Sequence, residues 1–165
     1  AVYMQLAYFM LVGITDISIL GQDSDVEWVK AQLADGGSLG LSLRYGEEQD
    51  AGEHVAGTMR VHGLSFLYGK DLTKSFRRIL YGAPQSYALE NYQGTALGIQ
   101  FDRAQPIHKR TTLKLERGIV AFPIESHREL HTASSLIHLI QESMNENICA
   151  LPEIAYHRGL IRDTK

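Results

Sequence analysis

The sequence contains little cysteine and no excess of basic charge. Its one cysteine, Cys149, excludes an internal disulfide framework, and such low usage is typical of a reducing compartment. Lysine and arginine number 16 against 19 aspartate and glutamate residues, for a formal net charge of −3. This balance argues against nucleic-acid binding through a basic surface. We therefore expect a cytoplasmic protein with no nucleic-acid partner.

A long hydrophobic run of the kind that crosses a membrane is also missing. The most apolar stretch is "AVYMQLAYFMLVGI" at the N-terminus, which contains Gln5 and stops after 14 residues. A membrane span needs about 20 residues, and a signal peptide begins with a basic region that this stretch does not have. We predict a core helix here, and no membrane partner.

What is present is the composition of an ordinary globular protein. Hydrophobic residues make up 44% and charged residues 21% of the 165-residue chain, which suits one domain over residues 1–165. Strands and helices alternate through the first half, which favours a mostly parallel α/β sheet. The predicted elements are a helix over 1–12 closed by Gly13, a strand over 16–20, a helix capped by Asp23 or Ser24, strands over 41–45 and 58–64, and a helix over 71–80.

The second half predicts a different pattern, with neighbouring strands. "SYALENY" and "TALGIQFD" are typical of a hairpin that turns at Gln93-Gly94, and strands follow over 111–116 and 118–124. A long helix is expected from Ser126 to Asn145, because Ser126 and Glu129 have the spacing of a capping box. Together the two halves predict a mixed sheet flanked by helices, with a C-terminal helical pair.

Four motifs could carry chemistry, and each has a simpler interpretation. "DGGSLG" has glycines but no P-loop lysine, so we predict a turn. "HRELH" places His127 and His131 at a spacing that can bind zinc, but a solvated helix face is the simpler prediction. Cys149 has apolar neighbours and is predicted to be a packed thiol. The acidic run "YGEEQDAGE" could bind a cation, and we predict a solvated loop.

The order of several stretches carries a family resemblance. "AVYMQLAYFMLVGITDISIL", "LADGGSLGLSLRY", "VHGLSFLYGKDL" and the C-terminal "RGIVAFPIESHREL…ICALPEIAYHRGLI" follow one another as similar motifs do in the sugar nucleotidylyltransferases. The chain is most similar to the glucose-1-phosphate thymidylyltransferases among them. The resemblance implies a reduced nucleotidyltransferase domain with a Rossmann-like sheet. It also implies descent from enzymes that join a nucleoside triphosphate to a sugar 1-phosphate.

The same resemblance implies that the catalytic parts are replaced. The family's two Mg²⁺-binding aspartates align with Leu64 and Pro123, whose side chains cannot ligate a hard cation. The chain begins at the family's first helix, downstream of the G-x-G-T-R loop, and "QPIHKR" stands where the family has E-E-K-P. We therefore expect no catalytic residue, no metal ligand and no cofactor.

Two family motifs survive, "YGKDL" and "PEIAYHRGLI". In thymidylyltransferases these regions contribute to a secondary nucleotide site and to subunit contacts. The resemblance thus implies a nucleotide-binding set in which Tyr68 stacks on a base and basic groups meet phosphate, although the family's arginine aligns with His157. The alternative is that the motifs only pack helices on the sheet. The set comprises Tyr68, Gly69, Lys70, Asp71, Glu153, His157 and Arg158.

The function expected from these residues is that of a non-catalytic homologue. It would bind a nucleoside phosphate, or assemble as a homo-oligomer or with a related nucleotidylyltransferase, through an N-terminal helix that is apolar almost all round and an apolar C-terminal segment. The alternative is an active nucleotidylyltransferase whose site is completed by an upstream segment or a partner. Binding by such an enzyme would need Mg²⁺ and a carboxylate such as Glu47 or Glu48.

Overall fold

The computed structural model describes residues 2–47, 57–82, 85–102, 110–145 and 147–162, and within them the protein is a mixed α/β fold with sheets flanked by helices. Two compact units share the chain: Ala1–Gln5 with His54–Ile148, and Leu6–Glu53 with Cys149–Lys165. The described elements are, in chain order, α1 (Val2–Val12), β1 (Asp16–Leu20), α2 (Asp23–Leu33), β2 (Ser42–Gly46), β3 (Thr58–Val61), β4 (Leu64–Gly69), α3 (Leu72–Gly82), β5 (Tyr87–Glu90), β6 (Ala96–Asp102), β7 (Thr111–Lys114), β8 (Ile119–Ile124), α4 (His127–Met144) and α5 (Leu151–His157).

The second unit, Leu6–Glu53 with Cys149–Lys165, contains a parallel β1–β2 pair joined through α2. The spacing of Val26, Val29 and Leu33 predicts an apolar face on α2, and all three residues are buried. The predicted cap is wrong. Gln22 occupies the N-cap position without a side-chain hydrogen bond, and the two predicted caps lie inside the first turn. There a carboxylate can still favour the positive end of the helix dipole.

The first unit, Ala1–Gln5 with His54–Ile148, contains a mixed four-stranded sheet in the order β3-β6-β5-β7. Only β5 and β7 are parallel in it, and the remaining pairs are antiparallel. The mixed sheet is therefore confirmed. The mostly parallel arrangement predicted for the first half holds for β1 and β2, but it is wrong for the segment predicted over 58–64, because β3 and β4 pair antiparallel with β6 and β8.

A two-stranded antiparallel ribbon of β4 and β8 completes the strands described in the first unit. The strand predicted over 58–64 is in fact two strands, β3 and β4. Gly63, between them, has φ +71, in the left-handed region that breaks a strand. The ribbon therefore begins at Leu64, the first of the two positions aligned with the family's metal aspartates.

Helix α1 is a core helix, as predicted, although assembly through an exposed apolar face of the same helix was also expected. Tyr3 is the only exposed residue in Val2–Val12, and its exposed fraction is 39%. The expectation that α1 leaves an apolar face exposed is therefore wrong. A helix that is apolar all round is normally a buried helix, and α1 follows that rule. Its fully buried residues are Met4, Leu6, Ala7, Met10 and Val12.

Helix α4 begins and ends as predicted, and it packs on β8. The capping box is confirmed: the Ser126 hydroxyl accepts a hydrogen bond from the backbone N–H of Arg128 and donates one to the Glu129 carboxylate. The spacing of Leu130, Ala133, Ile137 and Ile140 predicts an apolar stripe on α4. This stripe is only partly covered, because Ala133 alone is fully buried and Leu130 is 41% exposed. Among the helices described, none is long and apolar enough to cross a membrane.

Candidate functional site

The β4–β8 ribbon holds both positions that the resemblance assigns to the metal site. Leu64 pairs with Ile124, and Ser65 pairs with Pro123. Residues directly opposite each other point to the same face of a sheet, and successive residues point to opposite faces. Leu64 and Pro123 therefore lie on adjacent strands with their side chains on opposite faces. They do not converge on one point.

Ser65 is the one polar side chain near the start of β4, and the fold uses it internally. Its side chain is 1% exposed, and its hydroxyl donates a hydrogen bond of 2.7 Å to the backbone carbonyl oxygen of Leu97 in β6. This bond satisfies an acceptor that a buried position would otherwise leave unpaired. The start of β4 therefore offers no outward polar group.

In the middle of the ribbon, two aromatic rings pack against each other, and a side chain from outside the ribbon bonds to β8. The Phe66 and Phe122 rings stack with centroids 5.1 Å apart, and Phe66 is 2% exposed. The Asn91 side-chain amide donates a 3.1 Å hydrogen bond to the carbonyl oxygen of Ala121 in β8. These contacts hold both strands in register and leave no room for a ligand between them.

Half-buried apolar side chains occur at both ends of the ribbon, but the end of β4 also carries a tyrosine hydroxyl and lies beside more exposed apolar residues. Tyr68 is half-buried and pairs directly with Val120 of β8, which is 47% exposed. The Tyr68 hydroxyl donates to the sulfur of Met144, 3.0 Å away, and Met144 is itself 52% exposed. We name Tyr68, Val120 and Met144 the Tyr68 patch. It is a contiguous surface built from β4, β8 and α4.

The surviving "YGKDL" motif has a structural explanation at two positions. A Cβ atom at Gly69 would lie 2.6 Å from the carbonyl oxygen of Gly118 and 2.8 Å from the Cα of Ile119, so only glycine fits. The Asp71 carbonyl accepts the first hydrogen bond of α3, from the N–H of Ser75. Lys70 and Asp71 are exposed. Of the motif, Tyr68, Lys70 and Asp71 keep side chains that can meet a ligand, and Lys70 is the one whose charge suits a phosphate.

The other predicted nucleotide-binding residues lie in the second unit, on and after α5. Glu153, His157 and Arg158 are all exposed, and His157 Nε2 is 3.8 Å from a Glu153 carboxylate oxygen. The Arg158 N–H donates to Ile154 at the end of the helix. The predicted set is thus divided, with four residues in one unit and three in the other.

A buried ion pair at the end of β6 was not predicted from the sequence. Asp102 is 1% exposed, and its two carboxylate oxygens accept hydrogen bonds from Arg110 at 2.9 and 3.2 Å. Arg60 of β3 approaches the same carboxylate at 4.0 Å. A bidentate arginine suits a carboxylate withdrawn from water. The sequence feature that could have indicated this pair is an acid directly after "GIQF", at the end of a predicted core strand.

The remaining candidate motifs lie partly within the described residues. His127 and His131 are exposed on α4, a position that suits either a solvated helix face or a surface metal-binding pair. Burial raises the pKa of the Cys149 thiol to about 11, which keeps it protonated at neutral pH and fits a packed thiol. Glu47 is exposed, whereas Glu48, the rest of the acidic run and most of "QPIHKR" lie outside the described residues. The described ranges contain no cluster of three or more metal-ligating side chains.

Comparison with known protein families found no match, and no curated protein is significantly similar to the chain. We therefore infer the function of the chain from the geometry of β4, β8 and the helices beside them.

Proposed function

We propose that this chain is a non-catalytic homologue of the sugar nucleotidylyltransferases, with a reduced Rossmann-like nucleotidyltransferase fold, that acts as an assembly partner. The observation that carries the proposal is the contrast along β4. The positions aligned with the metal aspartates are apolar, and their polar neighbour Ser65 is bonded to Leu97, whereas Tyr68 at the other end reaches the surface.

The chemistry of nucleotidyl transfer supports the non-catalytic part. Charge develops on phosphate oxygens during the reaction, and metal ions and cations must stabilise it. Leu64 and Pro123 supply no oxygen ligand from their side chains, and their positions face opposite sides of the ribbon. The residues present therefore do not fit a catalytic Mg²⁺ ion. Loss of a single electrostatic element commonly costs about 10²–10³ in rate.

The Tyr68 patch supports the assembly part. Aromatic and methionine side chains are enriched at protein–protein interfaces, and this patch contains one of each beside an exposed valine. Most soluble oligomers are symmetric, so a second copy of the chain is the occupant that we propose. Two copies of the patch facing each other across a two-fold axis would cover Val120 and Met144.

A nucleoside phosphate is the second candidate ligand of the same end of β4. The half-buried Tyr68 ring can stack on a base, and the exposed Lys70 ammonium two residues later can meet a phosphate. This binding needs no metal ion. Calorimetry with thymidine or uridine nucleotides tests it, and the Lys70→Ala variant should weaken any heat that the natural chain produces. No heat at millimolar nucleotide would leave assembly as the sole proposal.

A pyrophosphate-release assay tests the non-catalytic claim. The chain is incubated with Mg²⁺, glucose 1-phosphate and either dTTP or UTP, and we expect no release above the protein-free control. Turnover within the ordinary enzymatic range of about 1–10³ s⁻¹ would contradict the proposal. In that case the active-enzyme alternative would take its place.

A further inference from the structure

Helix α4 carries two pairs of metal-ligating side chains on its exposed surface. His127 and His131 form one pair, and His138 and Glu142 form the other. All four side chains are exposed, and His138 Nε2 already lies 3.4 Å from a Glu142 carboxylate oxygen. Each pair has the i, i+4 spacing that brings two side chains together on one side of a helix.

The two pairs also lie on the same side of α4. At 100° per residue, the four positions fall within a sector of about 60°, so they form one line along the helix. The buried Ala133 lies on the opposite side, which faces the core. The line therefore runs along the solvent side of α4.

The spacing of the pairs is symmetric about the middle of the line. His131 and His138 lie equally far from the point between Ser134 and Ser135, and so do His127 and Glu142. When two copies of α4 are set antiparallel about a two-fold axis at that point, His131 faces His138 of the second copy. His127 then faces Glu142 of the second copy. Each end of such a pair brings three imidazoles and one carboxylate together.

We propose that α4 is a metal-dependent self-association surface, on which two divalent transition-metal ions such as Zn²⁺ bridge the antiparallel α4 helices of two copies. Each ion would take His127 and His131 from one copy and His138 and Glu142 from the other. Zn²⁺ prefers four nitrogen, sulfur or oxygen ligands in a tetrahedron, and imidazole suits it well. One copy supplies only two ligands for each ion, so the site is incomplete without the second.

The surface between the pairs permits the close approach that this arrangement needs. Packed helices lie about 8–10 Å apart, and small side chains at the contact favour the shorter distances. Ser134 and Ser135 flank the centre of the line on either side and are exposed, and the Ser134 hydroxyl is bonded back to the Leu130 carbonyl at 2.9 Å. The two metal sites would be about 16 Å apart, since eleven residues separate equivalent ligands.

This inference goes beyond the proposed function and does not depend on it. Association through the Tyr68 patch needs no metal ion, so it is measured in EDTA. Association through α4 is the additional change that zinc produces. Sedimentation velocity with EDTA and then with zinc chloride separates the two, because each proposal can fail while the other holds. We expect the mass measured in EDTA to at least double with zinc, at two ions for each pair of α4 helices.

Two double variants test whether the ligands come from different copies. His127→Ala with His131→Ala removes one pair, and His138→Ala with Glu142→Gln removes the other. Either variant alone should keep its EDTA mass in zinc. An equal mixture of the two should regain zinc-dependent association, because one site still combines an intact pair from each chain. The zinc content of that mixed pair should be half that of the natural chain.

A matched control is available on α5, where His157 and Glu153 form a similar exposed pair. His157→Ala with Glu153→Gln should leave the zinc-dependent doubling intact. The proposal is overturned if zinc leaves the mass of the natural chain unchanged, or if either α4 double variant still doubles. It is equally overturned if the mixture of the two variants fails to associate.

Discussion

The two ends of β4 belong to one strand with one partner strand, yet they are built for different purposes. At the start, Ser65 is buried and bonded to Leu97, and Leu64 has no polar group to offer. At the end, Tyr68 reaches the surface beside Val120 and Met144. The comparison shows that the start of β4 is used for packing. The Tyr68 hydroxyl, which contacts Met144 of α4, lies four residues after Leu64.

The end of β4 also shows that a residue can match a family motif for a structural reason alone. Gly69 belongs to a motif that resembles the nucleotidylyltransferases, but the backbone of Gly118 and Ile119 accounts for it without any ligand. Tyr68 and Lys70 have no such steric requirement. A motif can thus survive for the sake of packing at one position while its neighbour stays free to take a different role.

The largest effect is expected from a carboxylate placed at the closed end. Ser65→Asp would bury a charge next to the Leu97 carbonyl, and an unpaired buried charge costs several kcal/mol. We expect the free energy of unfolding to fall by about 4 kcal/mol or more, measured by urea denaturation. Lys70→Asp is the matched control at the open end, where the change should stay within about 0.5 kcal/mol. Equal losses of unfolding free energy in Ser65→Asp and Lys70→Asp would contradict the difference between the two ends of β4.

A smaller loss of stability is expected at Gly69. Gly69→Ala forces a Cβ atom against the carbonyl oxygen of Gly118, and overpacking of this kind costs about 1–3 kcal/mol. Gly82→Ala is the control, because the nearest atom to its added Cβ is Arg78 Cγ at 3.9 Å. Thermal unfolding should show a lower midpoint for the first variant only. If the midpoint of Gly69→Ala is unchanged, packing does not explain the glycine, and ligand binding becomes the explanation for it.

How much of this was predictable depends on sequence separation. The hairpin at Gln93-Gly94 and the capping box at Ser126 follow from neighbouring residues, and both are confirmed. The pairing of β4 with β8 joins segments about 50 residues apart, which no local pattern specifies. The burial of Asp102 was missed for the same reason, because one of its partners, Arg60, lies on a distant strand.

The candidate site was predictable residue by residue but not as an arrangement. "YGKDL" was recognised as a strand end, yet nothing in the sequence indicated that Tyr68 would contact Met144, 76 residues later. No local sequence pattern predicted that the nucleotide-binding set would be divided between two units. Only tertiary packing decides which exposed residues become neighbours.

The smallest effect concerns α4, the helix that brings Met144 to the open end. The hydrogen bond from the Ser126 hydroxyl holds the pKa of Glu129 below its ordinary value. The charged carboxylate therefore stabilises the helix above pH about 4.3, and this contribution is lost as the pH falls through the lowered pKa. Glu129→Gln should melt slightly earlier than the natural chain at pH 7 and together with it at pH 2. A difference that persists at pH 2 would exclude the capping box as its cause.

The most direct test of the account is the oligomeric state of the metal-free chain. Sedimentation equilibrium in EDTA compares the natural chain with Val120→Glu, which places a charge in the Tyr68 patch. Leu139→Glu is the control, since Leu139 is 57% exposed on α4 and lies outside that patch. If two copies associate through the Tyr68 patch, we expect a dimer for the natural chain and for Leu139→Glu, and a monomer for Val120→Glu. A monomeric natural chain, or a dimer that Val120→Glu leaves intact, would contradict this association.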